Sequence, residues 1–131
     1  PTPGMVDLVG ALWALERRRG VSVAAPSGGI AMAGGRAAEI VAVVAACLDN
    51  VAAHVGPDAP AWVLLESTPD DLLVSVRDDG PGIPAGRLDQ AVREGRLGVS
   101  SSILGRVAEL GGRAELSTGP HGTEWELVFP R

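Results

Sequence analysis

The sequence predicts one α/β domain, because helical and strand patterns alternate along a chain of 131 residues, which is enough for a single core. Between Arg36 and Val55 apolar residues recur at helical spacing. From Leu72 to Asp78 and from Thr123 to Phe129 alternate positions are mostly apolar, as in half-buried strands. Because the first residue is Pro rather than Met, we expect residues 1–131 to be a single domain excised from a longer protein.

The N-terminal pattern predicts a short amphipathic helix from Asp7 to Arg19, with its apolar side formed by Leu8, Leu12 and Leu15. The cluster Glu16-Arg17-Arg18-Arg19 closes this helix before a glycine. Its arginines either complement the negative C-terminal end of the helix dipole, which we favour, or form a partner-binding patch.

Two short apolar runs follow, Val21 to Ala25 and Ile30 to Ala33. The turn residues Pro26-Ser27-Gly28-Gly29 separate them. This arrangement is typical of a hairpin, so we expect two edge strands here.

The long helical pattern from Arg36 to Val55 has one buried stripe and ends at Gly56-Pro57. Asn50 and His54 lie one turn apart beside this stripe, so both point toward the same neighbour. The stripe itself consists of Ile40, Val44, Cys47, Leu48, Val51 and Val55. As the lone cysteine, Cys47 excludes an intrachain disulfide and fits a core thiol in a reducing compartment.

The next two strands, Ala61 to Ser67 and Leu72 to Asp78, form a predicted hairpin that leads into Asp78-Asp79-Gly80-Pro81-Gly82. Asp78 shares a face with Leu72, Val74 and Val76, so it emerges on the covered side of the sheet. A carboxylate there needs hydrogen-bond donors, and an adenine amino group is one suitable donor. Gly80 and Gly82 would let the backbone approach a flat base. As the alternative, these residues form only the turn that ends a strand.

The C-terminal third contains a polar segment, a helix and two strands. Arg87 to Glu94 is polar with few apolar residues, which fits a plain surface loop with one helical turn. The Gly/Ser-rich stretch Gly95 to Ser102 opens a helix whose backbone N–H groups suit a triphosphate, or else supplies an ordinary serine N-cap. Its apolar positions are Ile103, Leu104, Val107 and Leu110, and Gly111-Gly112 closes it. The strands Arg113 to Ser117 and Thr123 to Phe129 follow, and the second buries Trp125, Leu127 and Phe129.

The box Asp78 to Gly82 resembles the D-x-G-x-G box of the ATP-binding catalytic domain of bacterial sensor histidine kinases, within the GHKL or Bergerat ATPase superfamily. The other boxes follow in the family's order: an Asn helix, a strand hairpin, the Asp box, a lid, a Gly/Ser helix start and a Gly-Thr strand. The resemblance implies a two-layer α/β sandwich in which a mixed sheet of about five strands lies under three helices.

The resemblance also implies roles for individual residues. Asn50 would be the Mg²⁺ ligand, His54 would lie near the phosphates, and Thr123 would close the adenine end of the pocket beside Asp78. Catalytic roles would fall to Asn50, Asp49 and His54. The remaining ATP-binding positions would be Gly80, Gly82, Ile83, Gly95, Leu97, Gly98, Val99, Ser100 and Ser101.

One position departs from the family pattern. Most such kinases have Glu one turn before the Asn, where this chain has Ala46. Asp49 is rotated about 100° around the helix from Asn50. Either Asp49 takes the polar role of the Glu, or the base comes from the absent domain that holds the phospho-accepting histidine. The box around Asp49-Asn50 resembles an actinobacterial subgroup of the nitrate-sensor type.

The function that the resemblance implies is phosphoryl transfer from Mg²⁺·ATP to a histidine on a separate dimerisation domain of a homodimeric sensor, with a response regulator downstream. A related serine kinase that acts on an anti-sigma antagonist, or a degenerate nucleotide-sensing or docking module, is the alternative. The net charge of −5 argues against a sequence-independent nucleic-acid binder. We expect a cytoplasmic domain without membrane contact, since no signal segment and no apolar run long enough to span a bilayer is apparent; its parent protein could be membrane-anchored.

Overall fold

The computed structural model describes residues 4–81 and 99–131, with the side chains of the second range from Ile103 onward. The helices are α1 (Leu8–Trp13), extended by a 3-10 turn (Ala14–Arg17), α2 (Gly34–His54) and α3 (Val99–Glu109). The strands are β1 (Met5–Asp7), β2 (Val21–Ala24), β3 (Ala31–Ala33), β4 (Ala61–Ser67), β5 (Asp71–Asp78), β6 (Arg113–Gly119) and β7 (Gly122–Pro130).

A five-stranded mixed sheet in the order β2-β4-β5-β7-β6 forms one layer of the molecule. Strand β2 runs parallel to β4, and the other neighbours are antiparallel. Along β5 the residues alternate, with Leu72, Val74 and Val76 fully covered and Arg77 exposed. One face of the sheet therefore lies under the helices, and the predicted two-layer α/β sandwich is confirmed.

Helix α2 supplies the central apolar stripe of the core. Its predicted positions are buried from Ile40 to Val51, and Val55 caps its C-terminal end. The helix begins at Gly34, two residues earlier than predicted, where the Gly34 N–H donates to the carbonyl of Gly4 at 2.8 Å. Helix α2 has 21 residues and a mean hydropathy of 1.5, so by length and composition it could span a bilayer. The prediction that the chain has no apolar run of this length is therefore wrong. Its apolar composition follows from packing against the sheet.

The hairpin predicted between Val21 and Ala33 does not form. Strand β2 joins the edge of the large sheet, whereas β3 pairs with β1 in a separate two-stranded sheet. The Asp7 carboxylate holds the intervening loop, because its Oδ1 accepts the Ile30 N–H at 2.9 Å. Long-range pairing thus overrides the local turn signals.

The first helix is shorter than predicted. Asp7 is its N-cap and accepts the Val9 N–H at 3.0 Å, but regular helix ends at Trp13 and a 3-10 turn continues to Arg17. Within that turn the Glu16 carboxylate accepts the Val23 N–H at 2.8 Å, which ties the segment to β2.

Helix α3 ends as predicted, because Gly111 takes a φ of +78° and the Gly112 N–H donates to the carbonyl of Val107 at 2.9 Å. Ile103 and Val107 are buried. Leu104 is not part of the core, since 45% of it is exposed. Arg36 of α2 donates hydrogen bonds to the carbonyl of Leu110, just after α3, and to the carbonyl of Pro130, at the end of β7.

Candidate functional site

Asp78 lies at the C-terminal end of β5 and is only 6% exposed. Its Oδ1 accepts the Gly80 N–H at 2.9 Å and the Thr123 N–H at 3.3 Å. These donors offset the cost of removing a carboxylate from water. Among the described residues no donor to its Oδ2 is found, so this oxygen can accept a hydrogen bond from a ligand.

The backbone around Asp78 is packed closely on two sides. Gly122 has a φ of +130°, and a Cβ at this position would overlap the carbonyl oxygen of Asp78. A Cβ at Gly80 would lie 2.6 Å from Cγ2 of Val55, at the end of α2. The turn after β5 is therefore held between α2 and β7, and both contacts require glycine.

Thr123 is 5% exposed and lies on the covered face of β7. Its hydroxyl oxygen is 2.9 Å from that of Thr118 on β6. The backbone N–H of Thr123 donates to the Asp78 carboxylate, so this one residue links the carboxylate on β5 to Thr118 on β6. The sequence placed Asp78 and Thr123 in separate boxes, and the β5–β7 pairing brings them together.

Asn50 is a buried polar side chain on α2, 7% exposed. Within the described ranges its amide has no hydrogen-bond partner. The Asn50 amide is not among the buried side-chain groups that lack a partner in the described part of the chain, so it keeps some contact with solvent and can bind water, an ion or a ligand. One turn later, His54 is exposed at the last residue of the helix.

The amide oxygen of Asn50 fits Mg²⁺, a hard cation that takes one or two protein ligands and completes its shell with water and phosphate oxygens. Among the described residues no group of three or more His, Cys, Asp or Glu side chains could hold a metal. A cation beside Asn50 would accordingly take most of its ligands from a bound nucleotide and water.

Asp49 faces away from this site. Its side chain is 69% exposed, and Arg18 Nη1 lies 2.6 Å from its Oδ1. Ala46 is half-buried on the same helix. Arg19 lies 3.9 Å from Asp58, so two arginines of the basic cluster face carboxylates from α2 and from the loop that follows it.

Three of the remaining candidate residues lie in the third helix, and the others lie outside the described residues. Val99, Ser100 and Ser101 lie in the first turn of α3, as the predicted helix start requires. The lid segment Arg87 to Glu94 lies outside the described residues, as do Gly82, Ile83, Gly95, Leu97 and Gly98.

Sequence reasoning missed one group close to this site. It treated Trp125 as a packing residue, but its buried indole N–H has no hydrogen-bond partner among the described residues. The signal available in the sequence was a Trp, which carries a donor, at a covered position of β7.

Comparisons with known proteins show the family to which the chain is similar. Residues 35–131 match the family described as histidine kinase-, DNA gyrase B-, and HSP90-like ATPase. A comparison with curated proteins finds no significant match.

Several solved structures share the fold. The ATP binding domain of PrrB from Mycobacterium tuberculosis has a TM-score of 0.71 and 25% identity, over 96% of this chain and 95% of that one. The histidine kinase domain of the E. coli osmosensor EnvZ has a TM-score of 0.68 and 22% identity, over 99% of this chain and 90% of that one. The histidine kinase domain of a blue-light activated histidine kinase from Erythrobacter litoralis has a TM-score of 0.66 and 23% identity, over 99% of this chain and 69% of that one. Against a longer chain of that kinase, this chain spans 39% of the length.

The family match covers most of the chain and includes α2, the Asp78 turn and the β6–β7 pair. The buried carboxylate, the unpartnered amide and the close glycine contacts all lie within it. The chain belongs to the family of histidine kinase-, DNA gyrase B- and HSP90-like ATPases.

Proposed function

We propose that this chain is the ATP-binding catalytic domain of a two-component sensor histidine kinase. The observation that carries the proposal is the Asp78 carboxylate, buried at the end of β5 with one oxygen held by two backbone N–H groups. A fixed acceptor beside a close-packed backbone suits the amino group of a flat base. Asp78 would thus select adenine, with Gly80, Gly82, Ile83 and Thr123 around it.

The phosphate end of the pocket would lie beside α2 and the start of α3. When bound, Mg²⁺·ATP supplies the γ-phosphoryl group and the charge that the site must hold. Asn50 would hold the metal with its amide oxygen, and His54 would face the phosphates. Helix α3 begins at Val99, and a helix start presents N–H groups that the helix itself does not pair, at the positive end of its dipole. We assign phosphate binding to Gly95, Leu97, Gly98, Val99, Ser100 and Ser101.

The acceptor of the phosphoryl group would be a histidine on a separate dimerisation domain of the same protein. Neither histidine of this chain suits that role, since His54 ends the nucleotide-facing helix and His121 lies in the turn between β6 and β7. The full-length protein would act as a homodimer in the cytoplasm and pass its phosphate to a response regulator. The residues around Asp49-Asn50 support assignment of the chain to an actinobacterial subgroup of the nitrate-sensor type. Alone, the domain would bind nucleotide and scarcely turn it over.

A degenerate nucleotide-sensing module is the second candidate. It is supported by Ala46, which replaces the usual Glu, and by the pairing of Asp49 with Arg18 at 2.6 Å. For Asp49 to polarise a phosphoryl acceptor, this pair would have to open. The same observation favours a kinase in which the dimerisation domain supplies the base.

The first test is a calorimetric titration of the chain with ATP and ADP, with and without Mg²⁺. Asp78→Asn keeps the Oδ1 acceptor for the two N–H groups but replaces Oδ2 with a donor, which would repel an adenine amino group. We expect this variant to bind ATP at least tenfold more weakly, in line with about 1.5–3 kcal/mol for a hydrogen bond to a charged group.

The matched control is Asp71→Asn, which makes the same change at the far end of β5 and should leave affinity unchanged. Equal binding by the Asp78→Asn variant and the wild type would contradict adenine recognition by Asp78. A folded wild-type chain that binds no nucleotide would overturn the proposed function.

A further inference from the structure

The indole N–H of Trp125 is a buried donor without a partner. The side chain is 3% exposed, and Nε1 has no hydrogen-bond partner among the described residues. Leaving such a donor unpaired costs more than a hydrogen bond typically contributes. Phenylalanine would fill most of the same space without this cost. The donor therefore calls for a partner that the described part of the chain does not supply.

Trp125 stands beside the carboxylate proposed to recognise the base. It lies two residues after Thr123 on the covered face of β7, and it pairs with Val76, two residues before Asp78. Two steps along a strand span about 6.8 Å, a distance that an indole can bridge. Trp125 and Asp78 thus occupy neighbouring positions on the same face of the sheet.

An acceptor and a donor placed together read a base edge by its hydrogen-bond pattern. In adenine the amino group, a donor, is flanked by ring nitrogens that accept. Guanine presents an oxygen acceptor where adenine has its amino group. A carboxylate paired with an N–H donor therefore matches adenine and opposes guanine.

We infer that the Trp125 indole N–H donates to a ring nitrogen next to the adenine amino group when nucleotide binds, directly or through one bound water. This inference rests on the proposed function, because it adds a second base-reading group to the pocket of Asp78. Because Nε1 is buried, the donor reaches the base only when the groups that cover it shift as the nucleotide binds. Nucleotide binding then converts an unpaired buried donor into a paired one.

The test compares ATP with 1-deaza-ATP and 7-deaza-ATP, which each replace one of these ring nitrogens with a carbon. Wild type should bind one analogue about fivefold more weakly than ATP, as expected for the loss of one hydrogen bond. Trp125→Phe should bind ATP and that analogue equally, because its side chain has no donor to lose. Chemical denaturation of each variant checks that it is folded.

Trp62→Phe is the matched control. Trp62 lies on the face of the sheet opposite the helices, 36% exposed, with the Arg77 guanidinium 4.8 Å from its ring centroid. This variant should still bind the analogue more weakly than ATP, as the wild type does. Discrimination that persists in Trp125→Phe would overturn the inference, and so would its absence from a wild type that binds ATP. Both results would leave the proposed function standing, whereas a wild type that binds no ATP would remove both.

Discussion

The Cys47 thiol is completely enclosed on the buried face of α2. Burial disfavours the thiolate and raises the pKa of this thiol from 9.0 to about 12. The folded state therefore holds the thiol proton more tightly than the unfolded chain. The contribution of this proton to stability is complete below pH 9.0 and is lost as the pH rises through about 12.

This alkaline effect can be measured with little interference. The sequence has no Tyr and all eleven of its basic residues are Arg, so Cys47 is the side chain that titrates between pH 9 and 12. We expect the free energy of unfolding of the wild type to fall by up to about 1.4 kcal/mol per pH unit in this range. Urea unfolding at a series of pH values would show the slope.

Cys47→Ala removes the titrating group and provides the comparison. Below pH 9 its free energy of unfolding should be lower than that of the wild type because of the cavity, and above pH 9 it should be nearly independent of pH, so the difference between the two proteins narrows as the pH rises. Identical slopes for wild type and variant would mean that another transition, not thiol ionisation, governs alkaline unfolding.

At the residue scale the sequence predicted where the polar groups of the site emerge, but not how they are paired. The two-residue period of β5 placed Asp78 on the covered face, and helical spacing placed Asn50 beside the buried stripe of α2. The hydrogen bond from Thr123 to Asp78 joins residues 45 positions apart, which no local pattern reveals. The unpartnered N–H of Trp125 depends in the same way on what surrounds it.

At the scale of elements, the approach of β5 to β7 depends on a single glycine. The φ of Gly122 is +130°, and the carbonyl of Asp78 occupies the space that a Cβ would need. An added methyl group must push the two strand ends apart, since the obstacle is backbone rather than a flexible side chain. The same shift would draw the Thr123 N–H away from the Asp78 carboxylate.

We therefore expect Gly122→Ala to destabilise the chain by at least about 2 kcal/mol and to weaken ATP binding. Gly119→Ala, across the same turn, is the control, because a Cβ there meets nothing within 4 Å. Urea unfolding and nucleotide titration of both variants make the comparison. Similar stability for the two variants would show that the turn absorbs the clash.

Local patterns predicted elements well wherever neighbouring segments pair with each other. Ala61–Ser67 was predicted with its observed bounds, since β4 and β5 form a hairpin across a short turn. The same reasoning predicted the edge strand at Val21–Ala24 but assigned it the wrong partner, since it pairs with β4, which is parallel to it and beyond α2. A parallel partner needs a long crossover, so nothing adjacent in the sequence indicates it.

At the scale of the whole molecule, the N-terminal segment and the family-matched region share one core. The match begins at residue 35, yet Leu8 and Leu12 of α1 have no exposed surface and belong to the same apolar cluster as Ile40 and Phe129. Strand β2, also before the matched region, forms one edge of the large sheet. Because this core is shared, we expect residues 1–131 to fold as a single unit.

Two matched leucine-to-alanine substitutions test that prediction. Leu12→Ala removes a fully buried side chain from α1 and should cost about 2–5 kcal/mol, because the cavity lies in the shared core. Leu104→Ala makes the same change on α3 where 45% of the residue is exposed, and should cost less than about 1 kcal/mol. Unfolding followed by tryptophan fluorescence and by circular dichroism should give one coincident transition for each variant. A Leu12→Ala chain that loses only part of its structure in an early step, and keeps the Asp78 site folded, would show that the N-terminal segment is a separate unit.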